Sequence, residues 1–498
     1  MEWRDPTWTA ADYDPDNNPR LPGIVEYQEN AEGTFGQVGD IDQDGDYLVE
    51  DLERAPTTPF DTYLFGYEPE YGLEPLSEYR PGGYHPTHIG DNLGPPNDLN
   101  RYTVIVKLSN SPAYTVWLCR DHQASQSQYV AVKIVRAEVD REKLMELHLD
   151  ALDDHAAPGG EYIAFSLNKF VLEGPNGAHQ CMVFEVLGHC LDPGMWLEWD
   201  QARDNEAPRV LRKMCHQVTQ AMAFLHNNGI CHGDFRPANI GVKLRDLDGL
   251  SEDEVLGLFD QPKKVEVRHL PTATNLEHQP KYLVHAYNSG CLFSGDPMDP
   301  AHISDEIAVT GFGRAFLAAS PPRGFPGGDR RFQPPELALG LTTDDWPADF
   351  VGYTSDLWAL GWTLVCIRTQ RQFFQSPNPD LGQDEFLAMV VYFLGIPPFW
   401  SEFWPEGDDF FDGSGAAVPG LFVMTFYDGG GVIDNQNTPD GILEQMLARP
   451  FAIDTRYLDI WPAEVVLLGD LVRLLCRYDP AERIPAQRAI DHEFFDID

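Results

Sequence analysis

The segment His232-Gly233-Asp234-Phe235-Arg236-Pro237-Ala238-Asn239 constrains this chain more than any other. Its pattern is H-x-D-x-x-x-x-N, and the spacing has a mechanical reason. Asp234 is set to accept the proton of a substrate hydroxyl. Asn239, one loop-turn later, is set to hold a magnesium ion on phosphates. Arg236, two places after the aspartate, can neutralise charge on a transferring phosphoryl group. One octapeptide can arise by chance, so its weight depends on what lies before and after it.

Both sides carry matching parts. Tyr102 to Leu108 and Tyr114 to Leu118 are strand-like and joined by a short loop. Tyr129 to Val135 reads as a third strand. Glu142 to Leu152 has helical spacing in Leu144, Leu147, Leu149 and Leu152. Phe165 to Leu172 and Gln180 to Leu187 read as two further strands, with Asn176-Gly177 as the turn between them. The sum is a small sheet with one helix. Val210 to Leu225 then predicts a helix leading into the octapeptide, and helices dominate after Pro335.

Lys133 stands in Val130-Ala131-Val132-Lys133, which alone would be an ordinary strand with an exposed lysine. Together with the octapeptide, it resembles the third strand of a protein kinase. There the lysine meets the α and β phosphates of ATP and a carboxylate on the next helix, for which Glu146 is the natural partner. The resemblance makes Phe184 to Gly188 the hinge, with backbone groups at Glu185 and Leu187 on the adenine edge. Apolar Leu108, Val116 and Ala131 would sandwich the ring. It gives scaffold roles to Glu336 (after Pro335), to Asp356 at the start of an apolar helix, and to Arg483. Glu336 and Arg483 would form a buried ion pair, and Asp356 would brace the catalytic loop.

A narrower resemblance rests on Trp117-Leu118, on Cys181 to Gly188, and on Pro81 to Asp91 (Pro-Gly-Gly-Tyr-His-Pro-Thr-His-Ile-Gly-Asp). These look like SR protein kinases, which phosphorylate serines in Arg/Ser-rich splicing factors. The resemblance covers roughly residues 78 to 498, with an insertion at about 243–300. It implies ATP and Mg as cofactors, Arg/Ser-rich basic proteins as partners, and a cytoplasmic or nuclear location.

Composition fits such partners. The formal net charge is −44. A field of that sign repels nucleic acid and anionic membranes and attracts basic chains. Glu406, Asp408, Asp409 and Asp412 are candidates for an acidic docking surface, against the plainer reading of a solvated loop. The eight cysteines are scattered without a CxxC pair, which favours a reducing compartment. The N-terminus lacks the cationic and apolar regions of a signal peptide, and no apolar run is long enough to span a bilayer. Asp40 to Asp51 resembles the start of a calcium loop but ends in Asp rather than Glu, and an acidic linker is the preferred reading.

Three departures from the kinase pattern matter. The phosphate loop reads Leu108-Ser109-Asn110-Ser111-Pro112-Ala113-Tyr114, without glycine, which should weaken ATP binding. The metal-binding D-F-G stands as Gly311-Phe312-Gly313, so its carboxylate is missing; Asp305 substitutes only if the strand register differs. Gly233 replaces the arginine that usually grips an activation-loop phosphate, which reads as independence from loop phosphorylation.

The expected architecture is an α+β, bilobal protein-kinase fold. An acidic, largely irregular extension (1–99) precedes a β-rich N-lobe (100–190) and a helical C-lobe (191–498). The expected function is a weakened Ser/Thr kinase of SR-protein type; the alternative is a pseudokinase that docks Arg-rich proteins.

Overall fold

The structure is a computed structural model. It describes residues 73–123, 128–152, 154–192, 206–259, 262–269, 276–286, 302–322, 328–339, 352–371, 382–397, 404–411, 441–448 and 460–497, with the backbone of short strands at 27–29, 35–37 and 62–64. The calcium-loop-like segment Asp40 to Asp51 and the acidic candidate Asp412 lie outside the described residues.

The upper lobe is an antiparallel sheet of β1 (Tyr102–Ser111), β2 (Tyr114–Asp121), β3 (Tyr129–Val135), β4 (Asn168–Gly174) and β5 (Gly177–Phe184). Its order is β1-β2-β3-β5-β4, with the two-residue strand Asn92–Leu93 on the β1 edge. These runs are rich in β-branched and aromatic residues, which suit a pleated, packed surface. Every residue of β3 is buried, because both faces of the sheet are covered. The outer face forms its own apolar cluster around Trp117, Val132, Ile134, Phe170 and Val183.

Between β3 and β4 lies α1 (Met145–Leu149), shorter than the Glu142 to Leu152 periodicity predicts. Leu144 is extended (φ −74°, ψ 109°) and breaks the run after a single 3-10 turn at Arg141–Lys143. The last two strands also sit differently from their apolar runs. Phe165 is not in β4; its ring stacks on His155 at 3.9 Å, and the neighbouring Ile163 bridges to Val309 below the sheet. Gly174 pairs with Gly177, so Pro175 and Asn176 form the turn. Gly177 takes the left-handed φ of +127° that Asn176-Gly177 had suggested for the turn itself.

The chain then passes through β6 (Leu187–Cys190) into α2 (Ala207–Asn227). After the catalytic-type loop come β7 (Ile240–Leu244), β8 (Lys264–His269), β9 (Tyr282–Val284) and β10 (Ile303–Val309). Strands β6, β7 and β10 make one antiparallel sheet in that order. The helices α3 (Tyr353–Thr369), α4 (Gln383–Leu394) and α5 (Pro462–Leu475) complete the lower lobe. From Ser355 to Thr369, α3 is buried on all sides, as an all-round apolar helix requires. Near its C-terminal end the buried Arg368 is held by both oxygens of Glu464 at 2.6 and 2.8 Å, and Arg212 reaches the same carboxylate at 3.3 Å. Among the described residues, no helix is long and apolar enough to cross a membrane.

The insertion after β7 divides: Leu247, Val255 and Phe259 join the main core, while its later strands leave it. Strands β8 and β9 pair with each other, and β8 also pairs with Thr62–Leu64. They lie behind the upper sheet, where Val284 enters the outer-face cluster and Val267 and Leu283 pack on Tyr79 and Tyr84. The Asn176 amide ties the layers together by donating to the Tyr84 and His278 carbonyls at 2.5 and 2.9 Å. Lys107, fully buried in β1, is held by the Glu74 carboxylate and donates to the Val284 carbonyl at 3.1 Å. Residues 73–99 and these later strands thus cover one face together. The whole is a bilobal α+β protein-kinase architecture, with a cleft between the lobes.

Candidate nucleotide and phosphoryl-transfer site

The cleft encloses ≈ 320 Å³. Leu108, Val116 and Ala131 line it from the upper sheet, and Glu185 and Leu187 from the connection between lobes. Lys133 faces inward because strand alternation sends Val132 and Ile134 to the outer face. Its register partners are Val116 and Met182. Its Nζ lies 2.5 Å from Glu146 Oε1 and 3.9 Å from the centre of the Tyr114 ring. The other Glu146 oxygen is buried without a hydrogen-bond partner.

The roof is unlike an open phosphate loop. Strand pairing runs to the tip, Ser111 against Tyr114, so that Pro112 and Ala113 form a two-residue turn. The tip is pinned from outside: the Tyr84 hydroxyl donates to the Ser111 carbonyl at 2.6 Å, and Arg136 donates to the Pro112 and Ala113 carbonyls, each at 2.9 Å. Ladder pairing occupies backbone groups that a glycine loop would offer to phosphates. Ser109, Asn110 and Tyr114 line the cleft here.

Below, the octapeptide is held at its start. The buried Asp356 accepts from the backbone N–H of His232 at 2.7 Å and of Gly233 at 3.0 Å. His232 Nε2 bonds the Thr310 carbonyl at 2.8 Å, and its Nδ1 accepts from the Asp234 N–H at 3.3 Å. That pair of bonds requires the neutral ring protonated on Nε2. Burial pushes the imidazole pKa below its usual value in the same direction. Gly233 has φ +73°, and a Cβ there would lie 2.5 Å from the Arg314 carbonyl oxygen. A glycine is therefore required by the backbone as it stands.

Asn239 lines the cleft, and its amide nitrogen donates to Asp234, at 2.7 Å to the carbonyl and 3.2 Å to Oδ2. Asp234 opens instead on a small hollow beside the main cleft, shared with Asp329 and Phe332. Arg236 lies between carboxylates, 3.4 Å from Asp234 Oδ1 and 3.6 Å from Asp329 Oδ2. Arg331 also grips Asp329. Burial alone would raise the Asp329 pKa, but these guanidiniums hold it below the usual carboxylate range. The scaffold residues are distant from this chemistry. Glu336 and Arg483 form a buried two-pronged pair at 2.7 and 2.8 Å, and Arg483 also donates to the Thr354 carbonyl at 2.8 Å.

Gly311 sits against Asn239, as the pairing of Ile240 with Val309 dictates. Asp305 is far along β10, where it accepts from Lys213 on α2 at 2.7 Å, so the alternative register is excluded. Magnesium takes oxygen ligands in an octahedron and is commonly held by one or two carboxylates plus substrate phosphates. The oxygen donors here are the neutral Asn239 Oδ1 and the Asp234 carboxylate, one of whose oxygens already accepts from Asn239 Nδ2. Gly311 adds none, and no group of three His, Cys, Asp or Glu converges among the described residues. The donor set does not fit a cation clamped from both sides.

Sequence reading missed Tyr114 over Lys133, and Arg314, whose Nε lies 3.8 Å from Asp234 Oδ2. Tyr114 read as the end of the phosphate-loop segment and the start of a strand, and nothing local marks Arg314 except its place after Gly311-Phe312-Gly313.

Comparisons with known proteins find protein kinases over part of the chain. Over 197 residues the chain is 32% identical to protein kinase dsk1 of Schizosaccharomyces pombe, covering 38% of this chain and 34% of that one. It is 34% identical over 201 residues to SRSF protein kinase 3 of Sus scrofa, covering 38% and 33%. It is 33% identical over 219 residues to serine/threonine-protein kinase SKY1 of Saccharomyces cerevisiae, covering 42% and 28%. The similarity thus spans about a third of the length of these relatives. A crystal structure of a kinase domain superposes with a TM-score of 0.47 at 18% identity, over 83% of this chain and 98% of that one. No family model matches. The chain is similar to SR protein kinases; its fold assignment rests on the elements and registers described above.

Proposed function

We propose that the chain binds ATP between its lobes and transfers the terminal phosphate, slowly, to serines in Arg/Ser-rich proteins. The observation that carries this reading is the convergence of Lys133, Glu146 and Asn239 on one cleft, with Asp234 at its edge. Lys133, fixed by Glu146, meets the inner phosphates. Leu108, Val116 and Ala131 take the adenine, and the backbone at Glu185 and Leu187 its polar edge. The serine hydroxyl approaches Asp234, which accepts its proton as the oxygen attacks the terminal phosphorus and the bond from that phosphorus to the bridging oxygen breaks, releasing ADP. Arg236 supplies positive charge to the phosphoryl oxygens from its place beside Asp234.

Slowness follows from Gly311 and the pinned hairpin roof. Electrostatic clamping of a transferring phosphoryl is worth several kcal/mol, and each ~1.4 kcal/mol is a factor of about ten in rate. The acidic surface draws in the Arg-rich substrate and makes its capture sensitive to salt. Glu406, Asp408 and Asp409 are exposed in the Pro405–Asp409 turn and belong to that surface. A cytoplasmic or nuclear site of action goes with such substrates.

A second reading is favoured by the same Gly311: a docking module that binds Arg-rich proteins without transferring phosphate. Phosphate transfer from labelled ATP to an Arg/Ser-repeat peptide, beside an Asp234→Asn control, separates the two. Incorporation abolished by the substitution supports the kinase. A peptide that binds but is never phosphorylated leaves the docking module.

A further inference from the structure

We propose that this site takes its nucleoside triphosphate without a divalent cation, and that Arg314 supplies much of the missing positive charge. The inference rests on the nucleotide reading of the cleft given above.

At Gly311 the backbone has φ +78°, and a Cβ would lie 2.5 Å from both Oδ1 and Cγ of Asn239. The Asn239 side chain fills the space that a ligand from position 311 would need. That side chain is in turn committed, with its amide nitrogen donating to Asp234 at 2.7 and 3.2 Å. Position 311 supplies no oxygen of its own, so a cation there would meet only the neutral Asn239 Oδ1 and the Asp234 carboxylate that the Asn239 nitrogen already bonds.

Cationic side chains gather around the same carboxylate. Arg314 approaches Oδ2 at 3.8 Å and Arg236 approaches Oδ1 at 3.4 Å. Arg236 Nε is buried and makes no hydrogen bond within the protein; its charge is set against Asp234 Oδ1 and, through Nη1, Asp329 Oδ2. Lys133 stands across the cleft. A terminal phosphate that reaches Asp234 must pass within range of both guanidiniums. Guanidinium forks match phosphate oxygens in pairs and stay charged at any working pH. Metal-free ATP carries more negative charge than its magnesium complex, and this arrangement meets that charge with fixed cations.

Arg314 is 43% exposed, so replacing it leaves the core intact. The test is calorimetric titration of the full chain with ATP and with adenosine, once in magnesium and once in EDTA. The expected result is ATP affinity in EDTA within about threefold of that in magnesium. Arg314→Gln should weaken ATP about tenfold, the worth of one hydrogen-bonded charge, and leave adenosine unchanged. Arg314→Lys should recover part of the loss. ATP binding seen only with magnesium would overturn the proposal while leaving the nucleotide reading in place. An unchanged ATP affinity in Arg314→Gln would overturn the role of that residue. No heat with ATP or adenosine in either buffer would remove the nucleotide reading and this proposal together.

Discussion

At the scale of single residues, small side chains and neutral rings set the limits of this site. Gly311 combines a left-handed backbone with the close Asn239 side chain. Gly311→Ala should therefore cost about 1–3 kcal/mol, the range for a strained backbone. Urea unfolding reads this directly, and an unaltered midpoint would mean that Asn239 moves away freely. Histidines add a pH limit. Burial lowers the pKa of His85 to about 3 and, less far, that of His179, whose ring meets His85 edge-on at 5.1 Å. Both are neutral when folded, while the unfolded chain takes up protons near pH 6.5. Between the folded and unfolded values the unfolded state binds more protons, so stability rises with pH there and falls on acidification below about 6.5. His85 keeps some solvent contact, which screens the effect to on the order of 1 kcal/mol at pH 5. The melting temperature should drop between pH 7 and 5, and His85→Gln should flatten the drop. An identical drop in that variant would assign the acid sensitivity to other groups, His232 first among them.

At the scale of elements, ion pairs fix where strands and helices meet. Glu336 closes the short helix Pro335–Ala338 onto Arg483, and both side chains are nearly inaccessible to solvent. Glu336→Ala leaves a guanidinium buried without its carboxylate and should cost about 3–5 kcal/mol. Thermal unfolding of the variant checks this, and a shift of only a degree or two would show that water reaches Arg483. The same logic applies to Lys133 and Glu146, with a difference that matters. Lys133 also rests on the Tyr114 ring, so Glu146→Ala keeps one cationic contact. ATP affinity should then fall more than stability does. A loss of fold with no separable loss of affinity would make Glu146 a purely structural residue. Strand existence was legible from runs of β-branched and aromatic residues, but α1 and the β4–β5 hairpin were not placed correctly. Periodicity in Leu144 to Leu152 could not reveal that Leu144 turns extended, nor that Phe165 leaves the sheet to stack on His155.

At the scale of the whole molecule, the later strands of the insertion and residues 73–99 act as one layer behind the upper lobe. Removing 262–286 would expose the outer-face cluster and take the Val284 carbonyl from the buried Lys107. The expected outcome is an aggregation-prone chain that binds an apolar dye, read by light scattering and dye fluorescence beside the intact protein. A soluble deletion variant with an unchanged melting temperature would show that the layer is ornamental. Substrate capture belongs to this scale too. With a net charge of −44, affinity for an Arg/Ser-repeat peptide should fall steeply as salt rises from 50 to about 200 mM, roughly the range over which the Debye length halves. Anisotropy titrations that stay flat across this range would rule out charge steering.

Sequence alone determined the chemistry on offer: an aspartate and an asparagine at loop spacing, a strand lysine with its carboxylate, and a glycine where a metal ligand is usual. These were legible because each is a residue type at a fixed separation along the chain. Only the tertiary structure decided what those residues face. Asp305 goes to Lys213, Asn239 turns its amide to Asp234, and Arg314 arrives beside the same carboxylate. The later strands of the insertion cross to the far lobe for the same reason. Those apolar strands find their burial against residues that lie more than a hundred positions away in the chain, a pairing that local pattern does not encode.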